Sequence, residues 1–259
     1  MQVSGKVAVI TGGTGGIGQA MARVFLAAGA AAVVISDLDK AKVESVAKAI
    51  GCEGIACNVT DERQLQDLVK QTIDRHGRID LFCSNAGAAI PGVLSDAPND
   101  LWQGQWDLHV MAHLYAARAV LPGMIERGDG YLLNTASAAG LLAAIDSGPY
   151  TVSKAAAVKL AEFLAITHGD DGIKVSVLCP QGVNTAMAPK SLGSGQTDGI
   201  IEADELAQVV LQAIDEERFH VLPHPEVEEY VRRKGDDVDR WIKGMRRLRR
   251  ESIAGGTRS

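Results

Sequence analysis

Seven short β-rich runs alternate along this chain with longer segments of helical spacing. The runs Lys6–Ile10 and Tyr131–Thr135 are mostly apolar, whereas Leu65, Leu68 and Ile73 recur at the spacing of one helix face. Apolar strands separated by helices are typical of a parallel sheet with helices on both faces. The alternation therefore predicts an α/β fold with a doubly wound, seven-stranded parallel sheet. The predicted strands are Lys6–Ile10, Ala31–Ser36, Gly54–Val59, Asp80–Ser84, Tyr131–Thr135, Lys174–Cys179 and Phe219–Leu222.

The chain is long enough for one domain with a full core. It has 259 residues, of which 46% are hydrophobic, and lengths of this order often form a single α/β domain. We predict one domain over residues 1–259. The Gly-rich segment 188–199 follows a predicted strand and is either filler or a lid; we expect a substrate lid. Residues 223–259 are expected to form a C-terminal helical extension.

Composition argues against several classes of function. The net charge is −6 and the sequence pI is about 5.5, so nucleic acid is not an expected partner. One basic cluster, residues 246–250, is interpreted as the solvated face of a terminal helix. No run reaches the ~18 apolar residues of a membrane helix, and the N-terminus lacks a secretory apolar region. The four cysteines lack zinc or disulfide spacing, so we expect free thiols, no metal and a cytoplasmic location.

A glycine-rich segment, Thr11–Gly18, lies between the first predicted strand and a helix. Glycines allow a tight turn and a close backbone approach, and the N–H groups that open the helix attract a pyrophosphate. Two glycine spacings fit, G-x-G-x-x-G from Gly13 and G-x-x-x-G-x-G from Gly12. Spacing alone therefore predicts a dinucleotide site without deciding the type of dinucleotide fold.

Asp37 lies 19 residues after Gly18, at the end of the second predicted strand. A carboxylate there accepts hydrogen bonds from the adenosine ribose hydroxyls and repels a 2′-phosphate. The glycine segment contains no Lys or Arg, and Leu38 rather than a basic residue follows Asp37. These features favour NAD(H) over NADP(H). The alternative for Asp37 is a loop carboxylate or a helix cap.

Tyr150 and Lys154 stand four residues apart just after a Gly-Pro pair, which is the signal of a turn that opens a helix. Four residues is one helical turn, so both side chains share one face. A phenol has an ordinary pKa of ~10, and a neighbouring ammonium favours its ionised form. The pair suits proton transfer, although the spacing alone favours an ordinary amphipathic surface pair.

Several motifs, in order, resemble those of the short-chain dehydrogenase/reductase family, over residues 6–222. The family motif T-G-x-x-x-G-x-G is matched within residues 11–18, which decides the glycine spacing, and N-A-G is matched by residues 85–87. Its Y-x-x-x-K motif is matched by Tyr150 and Lys154. The resemblance implies a Rossmann-like fold that binds a nicotinamide dinucleotide.

The catalytic serine of this family lies 13 residues before the tyrosine, where this chain has Ser137. The resemblance implies that Tyr150 is the general acid/base, that Ser137 orients the substrate oxygen, and that Lys154 assists the phenol and holds the nicotinamide ribose. Gln181 replaces the glycine of the family's P-G-x-V-x-T motif. The expected cofactor-binding residues are Gly12, Thr14, Gly16, Ile17, Gly18, Asp37, Asn58, Val59, Asn85, Ala86, Gly87, Tyr150, Lys154, Val183 and Thr185.

Two positions depart from the family pattern. Asn58 stands where the family commonly has an adenine-binding aspartate, and an amide oxygen still accepts a bond from the exocyclic amine. Counting seven residues from Trp106 leads to His113, where the family usually has an asparagine that holds a water in a proton relay. His113 is therefore a predicted catalytic residue, which replaces or titrates in place of that water, and the alternatives are simple packing or lost activity. His109 is interpreted as helix packing.

These residues together predict an enzyme that transfers a hydride between NAD(H) and a secondary alcohol or ketone. The alternatives are an NADPH-dependent carbonyl or 3-oxoacyl-thioester reductase, and an NAD-binding sensor that has lost turnover. Apolar residues near the expected cleft, Leu141, Leu142, Ala143 and Met187, hint at a lipophilic substrate whose identity the sequence leaves open. The resemblance also implies a homodimer or homotetramer.

Overall fold

The computed structural model describes residues 1–90, 92, 96–185 and 198–256, with side chains to residue 253. Most of the predicted lid, residues 188–199, lies outside the described residues, as does Met187; only Asp198 and Gly199 of that segment are described. Within the described part of the chain, no helix is long and apolar enough to cross a membrane.

A seven-stranded sheet forms the centre of the molecule, and every pairing in it is parallel. Its strand order is β3-β2-β1-β4-β5-β6-β9. The predicted seven-stranded parallel sheet is thus confirmed, with strand ends that differ by at most three residues. The described strands are β1 (Val7–Thr11), β2 (Ala32–Asp37), β3 (Glu53–Ala56), β4 (Leu81–Ser84), β5 (Gly130–Thr135), β6 (Ile173–Leu178), β7 (Gly182–Asn184), β8 (Ile200–Glu202) and β9 (His220–Val221).

Two short strands, β7 and β8, were not predicted. They pair with each other in a separate parallel ribbon, in which Val183 lies opposite Ile201. Three residues are too few to produce a recognisable alternation, and the two strands flank the predicted lid.

Helices cover both faces of the sheet and bury two apolar clusters, one on each side. Local signals set several of their ends: Asp61 caps α3 by accepting from the N–H groups of Arg63 and Gln64, and Gly77 ends it in a left-handed conformation. The described α-helices are α1 (Gly16–Ala27), α2 (Lys40–Ile50), α3 (Glu62–His76), α4 (Asn99–Trp106), α5 (Ala112–Arg127), α6 (Ala138–Leu142), α7 (Gly148–His168), α8 (Ala203–Asp215), α9 (Glu226–Asp236) and α10 (Val238–Gly256).

A π-helical turn, Asp107–Met111, joins α4 and α5 into one continuous helix. Such turns widen the helix by one residue and often mark functional sites. The turn lies against α7, which follows the carboxyl end of β5 by way of α6. All strands run in the same direction, so the segments after β1, β2, β4, β5 and β6 meet at one edge of the sheet, where ligands bind in open α/β folds.

Candidate active site

The turn after β1 brings backbone from three segments into close contact. Gly12 has a positive φ of 63°, and a Cβ there would lie 2.7 Å from the Cα of Ala86. A Cβ on Gly18 would lie 2.4 Å from the carbonyl oxygen of Gly12. Only glycine fits these two positions, so the turn folds tightly against the first helical turn of α1.

The start of α1 has the properties of a pyrophosphate site. Its N-cap, Gly15, provides no side-chain capping bond, and Ile17 lies in the first turn. The backbone N–H groups of that turn have no intrahelical acceptors and lie at the positive end of the helix dipole. The cradle made by the glycines and the uncapped helix fits a dinucleotide pyrophosphate.

Asp37, at the end of β2, is tied to the glycine turn. Its Oδ2 accepts from the hydroxyl of Thr14 at 2.5 Å and from the Thr14 N–H at 3.2 Å. Its Oδ1 accepts from the N–H of Leu38 at 2.9 Å. The carboxylate therefore lies beside the cradle in a fixed orientation, where the ribose of a bound nucleotide would be expected.

Asn58 lies on the loop after β3, and the buried Val59 follows it. The Oδ1 of Asn58 accepts from the N–H and hydroxyl groups of Thr60, at 3.1 and 2.8 Å. This oxygen is already part of a local turn that leads into α3, so its contact with adenine stays a prediction.

Asn85, after β4, connects three strand ends. Its Nδ2 donates to the carbonyl of Thr11 at 3.0 Å, and its Oδ1 accepts from the hydroxyl of Thr135 at 3.1 Å. The hydroxyl of Thr11 accepts from the N–H groups of Asn85 and Ala86. The N-A-G segment is therefore fixed to the cradle on one side and to β5 on the other.

Tyr150, Lys154 and Ser137 lie together at the carboxyl end of β5. Ser137 caps α6 by accepting from the N–H of Ala139 at 3.1 Å, and its hydroxyl donates to the carbonyl of Pro180 at 3.4 Å and lowers the pKa of the neighbouring Tyr150 phenol. The ammonium of Lys154 lies 5.7 Å from the centroid of the Tyr150 ring and donates to the carbonyl of Thr135 at 2.8 Å. The three side chains form one polar group where β5 ends, at the same edge of the sheet as the glycine turn.

Burial shifts the pKa values of this group in opposite directions. Desolvation raises the pKa of the Tyr150 phenol, and the hydrogen bond from Ser137 opposes that rise. Desolvation also lowers the pKa of Lys154 to about 7. In the free protein near neutral pH, the phenol is therefore protonated and the lysine is divided between its charged and neutral forms.

His109, in the π-helical turn, contacts this group directly. Its ring meets that of Tyr150 edge to face, with centroids 5.5 Å apart. Its Nε2 accepts from the N–H of Ala88 at 3.2 Å, so the proton of the neutral ring lies on Nδ1, which donates to the hydroxyl of Ser153 at 2.9 Å. Ser153 in turn donates to the carbonyl of Tyr150 at 3.1 Å. Burial and the nearby Lys154 lower the pKa of His109 far below its usual value, so the ring stays neutral.

His113 lies one turn further along the helix and points elsewhere. It is 2% exposed, and neither ring nitrogen has a hydrogen-bond partner among the described residues. It lines a narrow cavity with Thr11, Val59 and Ala86, and Tyr150 is not part of that lining. Burial, with a smaller effect of Lys154, lowers the pKa of His113 to about 3, so it does not titrate near neutral pH.

The remaining predicted residues lie around the same cleft. A Cβ on Gly87 would lie 3.4 Å from the His109 Nε2 and 3.5 Å from the Lys154 Nζ. Val183 is buried in β7, and the side chain of Thr185 lies against the backbone of Gly16. The predicted cofactor residues therefore surround one edge of the sheet, next to Tyr150.

The sequence interpretation missed His109 and its partner Ser153. A count of seven residues from Trp102 leads to His109, whereas the count from Trp106 leads to His113. The motif spacing fits both tryptophans, and only the contacts with Tyr150 and Ala88 distinguish them. Ser153 carried no signal, because a lone serine in a helix is ordinary.

Comparisons with known proteins agree with this geometry. The family described as short chain dehydrogenase matches residues 6–194. A 1-deoxy-11-beta-hydroxypentalenate dehydrogenase from Streptomyces exfoliatus is 31% identical over 255 residues, which cover 93% of this chain and 91% of that protein. Oxidoreductase UcpA from Salmonella typhimurium is 34% identical over 194 residues, which cover 72% of this chain and 73% of that protein. The structure of a short chain dehydrogenase/reductase from Burkholderia phymatum in complex with NAD has a TM-score of 0.83 and 28% identity, covering 92% of this chain and 96% of that one.

Proposed function

This chain belongs to the short-chain dehydrogenase family, and from that premise we propose that it transfers a hydride between NAD(H) and a secondary alcohol or the corresponding ketone. The observation that carries the proposal is the grouping of Tyr150, Ser137 and Lys154 beside the glycine cradle. The Streptomyces relative is named for a compound that carries a hydroxyl group, which supports an alcohol as substrate.

Tyr150 acts as the general acid/base on the substrate oxygen. Its raised pKa keeps the phenol protonated in the free protein, which suits proton donation to a ketone oxygen. Ser137, whose hydroxyl lies beside that phenol, orients the same oxygen. In the oxidative direction the phenol has to lose its proton first, so alcohol oxidation is expected to accelerate as the pH rises.

The cofactor would be held by the glycine cradle, by Asp37 at the adenosine ribose and by Lys154 at the nicotinamide ribose. When bound, NAD(H) supplies the hydride or accepts it. The charged form of Lys154 favours the ionised phenol, so protonation of Lys154 and deprotonation of Tyr150 are coupled. Asp37 supports NAD(H) over NADP(H), because its carboxylate would repel a 2′-phosphate at that position.

His109 takes the place proposed for the relay asparagine. It fixes the backbone of Ala88 and, through Ser153, the carbonyl of Tyr150, which lies at the start of α7. Since the ring stays neutral, its role is to position these groups and not to exchange a proton. This is a positioning role, and His113 is assigned no step.

The working protein is proposed to be a homo-oligomer. Helix α7 carries Val152, Phe163 and Ile166 on one side, and these apolar side chains are 48%, 61% and 76% exposed. Apolar side chains that share one face of a long helix and remain exposed are typical of an interface with another copy.

The test combines purified protein with NAD+ and a panel of secondary alcohols. NADH formation that falls by at least ~100-fold in Tyr150→Phe supports the proposal, because removing a general acid/base typically reduces the rate by 10²–10⁴. Cofactor choice follows from kcat/KM with NAD+ and NADP+. A preference for NADP+ would favour the carbonyl-reductase alternative, and tight NAD binding without turnover of any alcohol would favour a sensor.

A further inference from the structure

We propose that the groove between α6 and the C-terminal helix α10 binds the apolar body of a substrate that ends in a carboxylate, and that Arg246 and Arg249 bind this carboxylate. The inference rests on the proposed function, since it assigns a substrate class to the same site. It concerns a segment beyond residue 194, where the family match ends.

The groove has the size and the surface of a small-molecule site. It encloses about 310 Å³, within the range of ordinary ligand pockets, which begins near 300 Å³. Its walls are formed by the end of α6 and the residues that follow it on one side, and by one face of α10 on the other. The lining residues are Leu142, Ala143, Ile145, Lys234, Val238, Trp241, Ile242, Met245, Arg246 and Arg249.

The groove and the catalytic serine lie at opposite ends of the short helix α6. Ser137 is the N-cap of α6, and Leu142, which lines the groove, is the last residue of that helix. Five residues of helix span about 7 Å. A substrate whose hydroxyl carbon lies at Ser137 and Tyr150 would therefore reach the groove with a body of moderate length.

All three charged residues of the groove are cationic. No ion pair to Arg246 or Arg249 occurs within the described part of the chain, whereas Arg232 and Arg233 on α9 both pair with Glu229. Lys234 donates to the carbonyl of Leu141 at 2.5 Å, which holds its ammonium at the edge of the groove. Two unpaired guanidinium groups beside an apolar wall complement an anion, and a carboxylate matches their planar donor geometry.

The packing of α10 favours a small ligand over a membrane surface. A helix that lies on a lipid surface turns its apolar face outwards. Here Trp241 instead packs against Tyr230, with ring centroids 6.2 Å apart, and both join the apolar cluster of Leu142 and Val227. Trp241 is thus packed against the protein, while Val238 and Ile242 on the same helix are about half exposed and form an open side of the groove.

The first experiment measures the binding of decanoate, without cofactor, by calorimetry. We expect decanoate to bind the full chain at least tenfold more tightly than 1-decanol. Arg246→Ala with Arg249→Ala should remove that difference. The matched control is Arg247→Ala with Arg250→Ala, which removes the same charge from exposed positions of α10 outside the groove and should change the affinity by less than twofold.

The second experiment measures turnover of 9-hydroxydecanoate and 2-decanol, which carry the same secondary alcohol with and without a carboxylate. We expect a kcat/KM at least tenfold higher for the hydroxy acid in the wild type, and no preference in the Arg246/Arg249 double variant. Because decanoate binding needs no turnover, a protein that binds decanoate but oxidises no alcohol would contradict the proposed function alone.

Four outcomes would overturn the inference. They are equal binding of decanoate and 1-decanol, an equal effect of the two double variants, tighter arginine-dependent binding of decanoyl-coenzyme A than of decanoate, and a change of oligomeric state in Ile242→Asp. The last outcome would assign the groove to a second copy of the chain.

Discussion

At the scale of single residues, the neutral state of His109 determines what it contributes. Its two ring nitrogens are both used, one as acceptor from Ala88 and one as donor to Ser153. An asparagine offers both a donor and an acceptor as well, so it can replace both contacts. A leucine can replace neither, and it would leave the Ala88 N–H without its acceptor.

We therefore predict that His109→Asn keeps kcat within about tenfold of the wild type, whereas His109→Leu reduces it by at least ~100-fold, comparable to loss of a catalytic group. The pH–rate profile of His109→Asn should have the same midpoints as that of the wild type, because the histidine does not titrate near neutral pH. A midpoint that moves by a full pH unit would assign a titrating role to His109. His113→Asn serves as the comparison and should alter kcat less than His109→Leu does.

Lys154 gives a second prediction, on stability. Its pKa in the folded protein is about 7, below the ordinary value of 10.5, so between these values the unfolded chain binds more protons than the folded chain. Stability from this group therefore rises as the pH increases through that window. Relative to Lys154→Met, the wild type should gain roughly 2 kcal/mol of unfolding free energy between pH 7 and pH 9.

Urea unfolding of both proteins at the two pH values measures this difference, since the contributions of all other titrating groups largely cancel between wild type and variant. Parallel changes in the two proteins would show that Lys154 has an ordinary pKa when folded.

At this scale, the spacing of one helical turn predicted Tyr150 and Lys154 as neighbours, and the family resemblance added Ser137. The count from Trp106 selected His113 and left His109 as helix packing, although the count from Trp102 leads to His109. The choice depends on a π-helical turn, which shifts the helix face by one residue and leaves no mark in hydrophobic periodicity.

At the scale of elements, the junction between β1 and α1 is the most constrained part of the site. Gly18 lies in the first turn of α1, yet its backbone contacts the turn that precedes the helix. The glycine motif could therefore be recognised in the sequence, because steric contact excludes every side chain larger than hydrogen at Gly18. The strands β7 and β8 could not be predicted, since three residues are too few to show the alternation of apolar and polar side chains in a strand.

Gly18→Ala is predicted to lower the free energy of unfolding by about 1–3 kcal/mol, as overpacking typically does, and to weaken NAD binding. Gly244→Ala is the matched control: Gly244 lies within α10 and nothing lies within 4 Å of a Cβ built there. Alanine at that position should raise stability by up to ~1 kcal/mol through helix propensity. Thermal unfolding with and without NAD tests both; equal effects of the two substitutions would contradict the packing argument.

At the scale of the whole molecule, the fold was predictable because seven apolar strands alternate with helices. Such a chain buries its apolar faces in a doubly wound parallel sheet with helices on both sides. The order of strands and the packing of α9 against α6 were not predictable, since they depend on contacts between distant segments. The assembly state likewise depends on surfaces that only the folded chain reveals.

The exposed apolar side of α7 leads to a prediction about assembly. Phe163→Asp with Ile166→Asp should convert a dimer or tetramer into a monomer, because each substitution introduces a charge into the proposed interface. Light scattering after gel filtration measures the mass. Ile73→Asp is the control and should leave the mass unchanged: the sequence pattern grouped Ile73 with the buried Leu65 and Leu68, but in the structure it is 40% exposed. A wild type that is already monomeric would remove the proposed interface.

The pairing of β1 with β4 also has a consequence for the route by which the chain folds. Val9 lies opposite Phe82, so the central strand pair joins segments that are far apart in sequence, and such non-local pairings form slowly. The bonds between Asn85 and Thr11 require this pairing to be complete. During refolding, dinucleotide binding should therefore lag behind the appearance of helical circular dichroism, and recovery of the nucleotide site should report the closure of the central sheet.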